Sequence, residues 1–298
     1  MIRKLVIGTA NFGLRYGIAN DRKLDSNEAF AILDYAHEEG IQWIDTARAY
    51  GDAELLVGEF FAKRGKVFNV IGKLPAKEYL SAQTVEDEIF GSLRNMNLSS
   101  IDALLVHSFD TCKRYESVVI PVLRSLCRDN VIGTYGVSVY HPDDVVEMMR
   151  MTDDKLVFEF PLNLFDQRFL IDAFLQEMKG NGNLLFARSV FLQGLFFLGE
   201  SALGGRFEAV RGNVKTLRDL SAAHNMRPEC TALLFAVMNQ WVDGVVIGVD
   251  SIQQLKNNME CLRPGHNVSY SDMEPSLLEL AVSDEEIILP YKWRIGDV

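Results

Sequence analysis

The chain has 298 residues, of which 30 are basic and 41 acidic, so its formal net charge is −11 at pH 7. A protein of this charge repels the phosphates of nucleic acids and anionic lipids, and neither is expected as a general partner. Its apolar stretches stop short of the roughly 18 residues that a membrane-spanning helix needs, which argues against a membrane protein.

The cysteines bear on the cellular compartment. Cys112, Cys127, Cys230 and Cys261 are far apart and form neither a C-x-x-C pair nor a zinc-ligand spacing. Sparse cysteines of this kind are typical of reduced thiols in a cytoplasmic protein. Because the first residues also contain too short an apolar run for a signal peptide, a cytoplasmic location is predicted.

Eight short runs rich in apolar and β-branched residues predict buried strands. In chain order they are Lys4–Gly8, Gln42–Asp45, Val67–Lys73, Asp102–His107, Thr134–Ser138, Leu156–Phe160, Leu184–Ala187 and Gly244–Gly248. The amphipathic stretches between them predict helices, the first with Ser26 as its N-cap and Gly40 at its end. The longest interval, before the last strand, predicts two helices, near Phe207–His224 and Pro228–Trp241.

Strands that alternate with helices indicate a parallel sheet, and near-continuous apolar strands indicate a sheet buried on both faces. Eight such units without a linker favour a closed (β/α)8 TIM barrel, predicted as a single domain over residues 1–298. An open doubly wound sheet would usually carry G-x-G-x-x-G after its first strand, and Gly8-Thr-Ala-Asn-Phe-Gly13 lacks that spacing. In a barrel, the residues to examine are those at the carboxyl ends of the strands.

Four polar side chains stand at the ends of three neighbouring strands. Asp45 ends the second strand and is followed by Tyr50, Lys73 ends the third and His107 the fourth. Each alone is typical of a helix cap, a solvated charge or a core histidine. Together they bring a phenol beside an ammonium, which lowers the phenol pKa from about 10 and makes it a proton donor. Such a set suits carbonyl reduction, in which hydride reaches carbon and a proton reaches oxygen.

Three motifs carry these four residues, namely DTARAYG, IGKL and LLVHS. Their order and spacing resemble the aldo-keto reductase superfamily over essentially the whole chain. The resemblance implies a catalytic tetrad in which Tyr50 is the general acid, Asp45 and Lys73 tune it, and His107 orients the substrate carbonyl. The segments GTANFGLRYGIAN, FPLNLFDQR and RSVFLQGL also resemble a bacterial branch found beside sugar-biosynthesis genes.

The resemblance also implies residues that bind the nicotinamide. GVSVY is similar to a family segment after the fifth strand, so Ser138 is expected to hydrogen-bond the carboxamide. Val139 stands where the family usually has Asn, and Glu159 where it usually has Gln. A carboxylate can accept from the carboxamide NH2 but cannot donate to its oxygen. The aromatic residue that usually stacks on the nicotinamide is absent after the seventh strand, where Arg188 and Ser189 stand.

The segment VVIGVDSIQQLKNNM is similar to the family segment over the adenosine end of the cofactor. The positions expected to contact it are Gly248, Val249, Asp250, Ser251, Gln254 and Asn258. Members that prefer NADPH often have Lys or Arg here for the 2′-phosphate, whereas Asp250 would repel a phosphate and accept from a 2′-hydroxyl. NADP(H) is therefore the family default and NAD(H) a serious alternative. Lys256 is a remaining candidate cation, and Asp250 and Ser251 could instead only cap the last helix.

Three functions are open on the sequence. The preferred one is reduction of a small aldehyde or ketone, sugar-like or otherwise, by hydride transfer from NAD(P)H in a monomer. The alternative is a nucleotide-binding sensor or partner subunit with little turnover, which Val139 and Glu159 favour. The third is a metal-dependent hydrolase that uses Asp45, His107 and His141, but the chain lacks the H-x-H pair typical of such sites and no metal is expected.

Overall fold

The computed structural model describes residues 1–18, 22–76, 81–199, 202–263 and 270–293. Eight parallel strands close into a barrel in sequence order, with the first strand paired to the last. They are β1 Leu5–Gly8, β2 Trp43–Asp45, β3 Asn69–Leu74, β4 Ile101–Val106, β5 Ile132–Ser138, β6 Leu156–Pro161, β7 Leu184–Arg188 and β8 Gly244–Gly248. The prediction of a (β/α)8 barrel is confirmed, and each predicted strand overlaps an observed one.

Helices surround the strands. They are α1 Ala10–Gly13, α2 Ser26–Glu38, α3 Ala53–Arg64, α4 Ala82–Met96, α5 Phe109–Arg114, α6 Glu116–Arg128, α7 Pro142–Met151, α8 Asp172–Gly180, α9 Arg211–Ala223, α10 Pro228–Val237, α11 Ile252–Glu260, α12 Tyr270–Leu278 and α13 Glu285–Ile288. Short 3₁₀ turns cover Ile2–Lys4, Leu192–Phe197, Gly205–Val210 and Pro290–Lys292. The two helices predicted before the last strand are α9 and α10, each shorter than predicted because a 3₁₀ turn precedes α9 and a bend follows α10.

The start of α2 differs from the prediction by one residue. Its N-cap is Asp25, not Ser26, because the Asp25 carboxylate accepts from the backbone N–H groups of Asn27 and Glu28. The Glu28 side chain accepts in return from the Asp25 backbone N–H at 3.1 Å, which completes a capping box. Gly40 follows the helix with φ +83°, the left-handed conformation that glycine adopts without steric cost.

The apolar side chains form two buried sets. A small set fills the inside of the barrel and consists of Val6, Ile71, Ala103, Leu105, Val157 and Phe186. A much larger set lies between the strands and the helices, so the sheet is buried on both faces, as predicted. Within the described ranges, no helix has both the length and the apolar character needed to cross a membrane.

The prediction that all four cysteines are reduced thiols is wrong for one pair. Cys230 in α10 and Cys261, directly after α11, form a disulfide. The two helices pack side by side, so residues 31 positions apart in sequence have Cα atoms 5.0 Å apart, a contact that sequence spacing does not reveal. Cys112 and Cys127 are free thiols. The disulfide removes the support that cysteine spacing gave to a reducing compartment.

Candidate active site

A cavity of about 360 Å³ opens at the carboxyl ends of the barrel strands. Every strand contributes to its wall at or near its last residue, through Gly8, Asp45, Lys73, His107, Ser138, Glu159, Arg188 and Gly248. The mouth is aromatic and is formed by Tyr16, Tyr140, Phe191, Phe197 and Tyr291. The polar floor and aromatic rim suit a small molecule that buries one reactive polar group.

The floor brings the four predicted catalytic residues together. The ammonium of Lys73 lies 2.7 and 2.6 Å from the two carboxylate oxygens of Asp45. Its Nζ also donates to the Tyr50 hydroxyl at 3.3 Å. The His107 ring meets the Tyr50 ring edge-on, with 5.9 Å between centroids. Since all four line the same cavity, one bound substrate can reach the phenol and the imidazole at once.

The backbone that carries Tyr50 is held by a close approach to α1. A Cβ on Gly13 would lie 1.7 Å from the Tyr50 carbonyl oxygen and 2.6 Å from the Ala53 nitrogen. Gly51 has φ +55°, and a Cβ there would lie 2.6 Å from the Gly13 carbonyl oxygen. The two backbones can touch because Gly13 and Gly51 have no Cβ, and this contact sets where the Tyr50 ring enters the cavity.

Burial dominates the electrostatics of the site. Burial raises the pKa of Tyr50, and the Lys73 ammonium only partly offsets this, so the expected net lowering of the phenol pKa is absent. Although burial opposes its charge, Lys73 has a pKa well above its usual value, because Asp45 and Glu159 both hold the ammonium. Burial lowers the pKa of His107 to about 4, which keeps the imidazole neutral at physiological pH.

Glu159 and Arg188 occupy the side of the cavity expected to hold the nicotinamide. Glu159 Oε1 lies 3.1 Å from Lys73 Nζ and 3.4 Å from Arg188 Nε, and it accepts from the Ser138 hydroxyl at 3.3 Å. The other oxygen, Oε2, is buried and accepts no hydrogen bond from the described part of the chain. The Arg188 guanidinium lies 4.3 Å from the centre of the Tyr140 ring, and it donates to the Ser189 hydroxyl at 3.2 Å.

The predicted adenosine-binding segment lies at the start of α11. Gly248, Asp250 and Gln254 line the cavity, whereas Val249, Ser251 and Asn258 do not. Ser251 caps α11 by accepting from the Gln254 N–H at 3.1 Å, so the capping alternative holds for this residue. Asn258 is buried, and its Nδ2 donates to none of the described residues.

The candidate cation of this segment points elsewhere. Lys256 Nζ lies over the Tyr35 ring, 5.0 Å from its centre. The nearest carboxylate at the cavity wall, Asp250, accepts from the Asn11 side chain at 3.1 Å, and its own N–H donates to Gln254 Oε1 at 2.6 Å. The predicted adenosine-binding segment therefore presents the Asp250 carboxylate at the cavity wall rather than the lysine.

Comparison with known proteins identifies the family. The sequence pattern described as "Aldo/keto reductase family" matches residues 4–273. The chain belongs to this family. The NADH-specific methylglyoxal reductase of Escherichia coli is 21% identical, over 91% of this chain and 93% of the relative. The D-threo-aldose 1-dehydrogenase of a Pseudomonas species is 24% identical, over 85% of this chain and 90% of the relative.

Solved structures agree on the fold of this aldo-keto reductase. The holo form of an aldo-keto reductase from Bacillus halodurans matches with a TM-score of 0.77 and 21% identity, over 95% of this chain and 94% of that one. At that identity the likeness shows the fold alone. The bacterial relatives are consistent with the predicted bacterial branch.

Family membership confirms the predicted enzyme class. This aldo-keto reductase is an NAD(P)H-dependent oxidoreductase of small carbonyl compounds, and the sensor alternative is not favoured because the relatives carry the names of reductases and dehydrogenases. His141, invoked for a hydrolase site, lies away from the tetrad: its Nδ1 is 3.0 Å from Arg168 and 3.6 Å from Glu285.

Several residues that line the cavity of this aldo-keto reductase were not predicted from the sequence. Asn11 contacts Val249 and Asp250. Its position just after β1 is the sequence feature that could have predicted its place in the cavity wall. Tyr291 packs edge-on against Tyr140 with 4.6 Å between ring centres, but nothing in a tail sequence predicts which part of a barrel it covers. The Phe-rich segment after β7 also lies at the mouth, through Phe191 and Phe197.

Proposed function

We propose that this aldo-keto reductase reduces a small aldehyde with Tyr50 as the proton donor. The observation that carries the proposal is the buried chain of contacts from Asp45 through Lys73 to the Tyr50 hydroxyl. Lys73 fixes the phenol oxygen by donating to it, so the phenol O–H is free to point at the substrate. The neutral His107 imidazole beside Tyr50 donates its ring N–H to the carbonyl oxygen and fixes its direction.

The cavity supports the binding of a nicotinamide nucleotide. Glu159 Oε2 is a buried acceptor without a donor among the described residues, which suits the carboxamide NH2. Arg188 lies beside it and can donate to the carboxamide oxygen, and the Ser138 hydroxyl, which donates to Glu159 Oε1, can accept from the carboxamide NH2. When bound, the nucleotide supplies the hydride, and the protein supplies the proton.

We further propose that the preferred cofactor is NADH. A 2′-phosphate would meet the Asp250 carboxylate, whereas a 2′-hydroxyl can donate to it. The candidate Lys256 is turned to Tyr35, although Arg22 lies near enough to Asp250 to interact with it while pairing with Glu28. The E. coli relative is named NADH-specific, which agrees with this choice.

The substrate is proposed as a small hydroxylated aldehyde. Tyr140 and Tyr291 line the mouth, and each carries an aromatic ring and a hydroxyl group, a combination that packs on C–H groups and bonds to hydroxyls. The aldose dehydrogenase among the relatives fits this class. A monomer and a single domain over residues 1–298 stay predictions. A cytoplasmic location and a link to sugar biosynthesis stay predictions.

Two measurements test the proposed function. Tyr50→Phe is expected to lower kcat by roughly 100- to 10,000-fold while nucleotide affinity stays within threefold, because only the proton donor is removed. A variant that kept most of the wild-type kcat would refute Tyr50 as the proton donor.

For the cofactor, fluorescence titration is expected to show tighter binding of NADH than of NADPH. Asp250→Asn is expected to reduce the difference between the NADH and NADPH affinities by raising the affinity for NADPH. The matched control is Asp219→Asn, on the exposed face of α9, where Asp219 pairs with Lys215. Equal affinities in the wild type, or an unchanged ratio in Asp250→Asn, would contradict the assignment.

A further inference from the structure

Glu159 touches more of the catalytic machinery than a cofactor contact requires. Its Oε1 lies 3.1 Å from the same Lys73 Nζ that Asp45 binds at 2.6 to 2.7 Å. The side chains of Asp45, Lys73 and Glu159 are all at least 97% buried. The Lys73 ammonium is therefore held from two sides, by β2 through Asp45 and by β6 through Glu159.

Two buried carboxylates beside one ammonium are not a stable arrangement when both are ionised. Water cannot screen their mutual repulsion, and one ammonium cannot fully compensate two negative charges. Arg188 gives partial compensation at 3.4 Å from Glu159, but its guanidinium is also engaged by Tyr140 and Ser189. Both carboxyl groups contact the same Lys73 Nζ, at 2.6 and 3.1 Å, so burial and their mutual repulsion favour one proton shared between them.

We propose that Glu159 is a positioning residue that shares both Lys73 and one proton with Asp45. The role of this pair in turnover rests on the proposed function of Tyr50, whereas the shared proton does not. Burial and the Glu159 carboxylate raise the pKa of Asp45 to about 8, against the pull of Lys73. Although burial opposes its ionisation, Lys73 and Arg188 hold the pKa of Glu159 below its usual value. Because the two carboxyl groups are coupled, the proton belongs to the pair as a whole.

The pH dependence follows from the groups around the pair. Those that face it are Lys73 from β3, His107 after β4, Arg188 from β7, and Tyr50 from the loop after β2. Of these, His107 is neutral above pH about 4, and the other three keep their protons near pH 8. Loss of the shared proton then adds one negative charge beside Tyr50, which raises its pKa and weakens it as an acid.

Infrared difference spectroscopy of the nucleotide-free full chain tests this directly. A protonated carboxyl group has a C=O band distinct from that of a carboxylate, and exposed Asp and Glu are ionised at pH 7. The wild type is expected to show one such band at pH 7 and to lose it with a midpoint at about pH 8. Absence of the band in the folded wild type would overturn the proposal, whether or not any variant folds.

Variants show which residues give rise to the C=O band of the protonated carboxyl group. In Glu159→Gln the single remaining carboxylate, Asp45, pairs with Lys73 and is expected to stay ionised, so the band is lost. Asp45→Asn is expected to lose it too. Glu285→Gln, a half-exposed carboxylate on α13, is the matched control and is expected to retain the band. A band that survives in both Glu159→Gln and Asp45→Asn would assign the proton elsewhere and refute the pair.

Kinetics separates this inference from the proposed function. The rate of aldehyde reduction by the wild type is expected to fall up to tenfold per pH unit above the midpoint, and that of Glu159→Gln to stay level from pH 7 to 9. An identical decline in both proteins would refute the proposal that the proton shared by Asp45 and Glu159 controls the acidity of Tyr50. If Tyr50→Phe kept its activity while the band titrated as expected, the catalytic assignment would fail and the shared proton would stand.

Discussion

The contact between Gly13 and the Tyr50 backbone makes a strong prediction, because it lies outside the cavity. In Gly13→Ala the new Cβ would lie 1.7 Å from the Tyr50 carbonyl oxygen, where ordinary contact begins at about 3.4 Å. The two backbones must separate by about 1.7 Å, the difference between these distances. The Tyr50 hydroxyl is already 3.3 Å from Lys73 Nζ, so a shift of this size breaks that hydrogen bond.

A displacement of about 1 Å at a reacting group can cost on the order of 100-fold in rate. We therefore expect kcat of Gly13→Ala to fall by about two orders of magnitude. Forcing the methyl group into this packed contact is expected to lower the free energy of unfolding by about 1 to 3 kcal/mol. The assays are aldehyde reduction at saturating NADH and urea unfolding followed by circular dichroism.

The matched control for this variant is Gly212→Ala in α9, where a Cβ meets nothing within 4 Å. Its kcat is expected to equal that of the wild type, and its stability to be equal or slightly higher, because alanine favours a helix. If folded Gly13→Ala reduced the aldehyde within twofold of the wild-type rate, the close approach would not be what positions Tyr50.

Three further predictions concern charge and covalent links. Lys73→Met leaves two buried carboxyl groups without their ammonium, so we expect a loss of about 3 kcal/mol in the free energy of unfolding at pH 8.5 by urea titration. At pH 6 we expect a smaller loss, because without Lys73 burial raises the pKa values of both carboxyl groups and lets them take up protons. A loss independent of pH would refute this. Burial lowers the pKa of His107 to about 4, so kcat should show no acid limb near pH 6.5. The disulfide closes a loop with a sequence separation of 31 between Cys230 and Cys261, so its reduction by dithiothreitol is expected to lower the free energy of unfolding by about 3 to 4 kcal/mol. Cys230→Ser is expected to show the same loss without reductant.

The sequence was sufficient to predict the barrel and the proximity of the four residues of the proposed tetrad, because both depend on local signals. Each strand is an apolar run, and parallel strands in a barrel place their carboxyl ends around one mouth. Asp45, Lys73 and His107 stand at such ends, so their proximity follows from topology once the strands are known. The cap of α2 was missed by one residue, because Asp25 and Ser26 are both good N-caps and only the geometry separates them.

Features that depend on long-range packing were not accessible from the sequence. The Cys230–Cys261 disulfide forms because α10 lies beside α11, and the contact of Tyr291 with Tyr140 depends on the path of the tail. The pKa of Tyr50 was expected to fall because Lys73 is near, but the burial that raises it could not be read from residue types. The approach of Glu159 to Lys73 was hidden for a similar reason, since β6 and β3 are not neighbours in the barrel.

The adjacent Glu159 and Arg188 have a consequence for protein engineering. Where the family usually has an amide and an aromatic ring, this chain has an acid and a base whose charges cancel, 3.4 Å apart on neighbouring strands. Replacing Glu159 alone by the usual glutamine leaves the Arg188 guanidinium without its carboxylate. Replacing Arg188 alone by the usual aromatic residue leaves the Glu159 carboxylate without its guanidinium. Grafts from other aldo-keto reductases should therefore exchange the two positions together, as one unit.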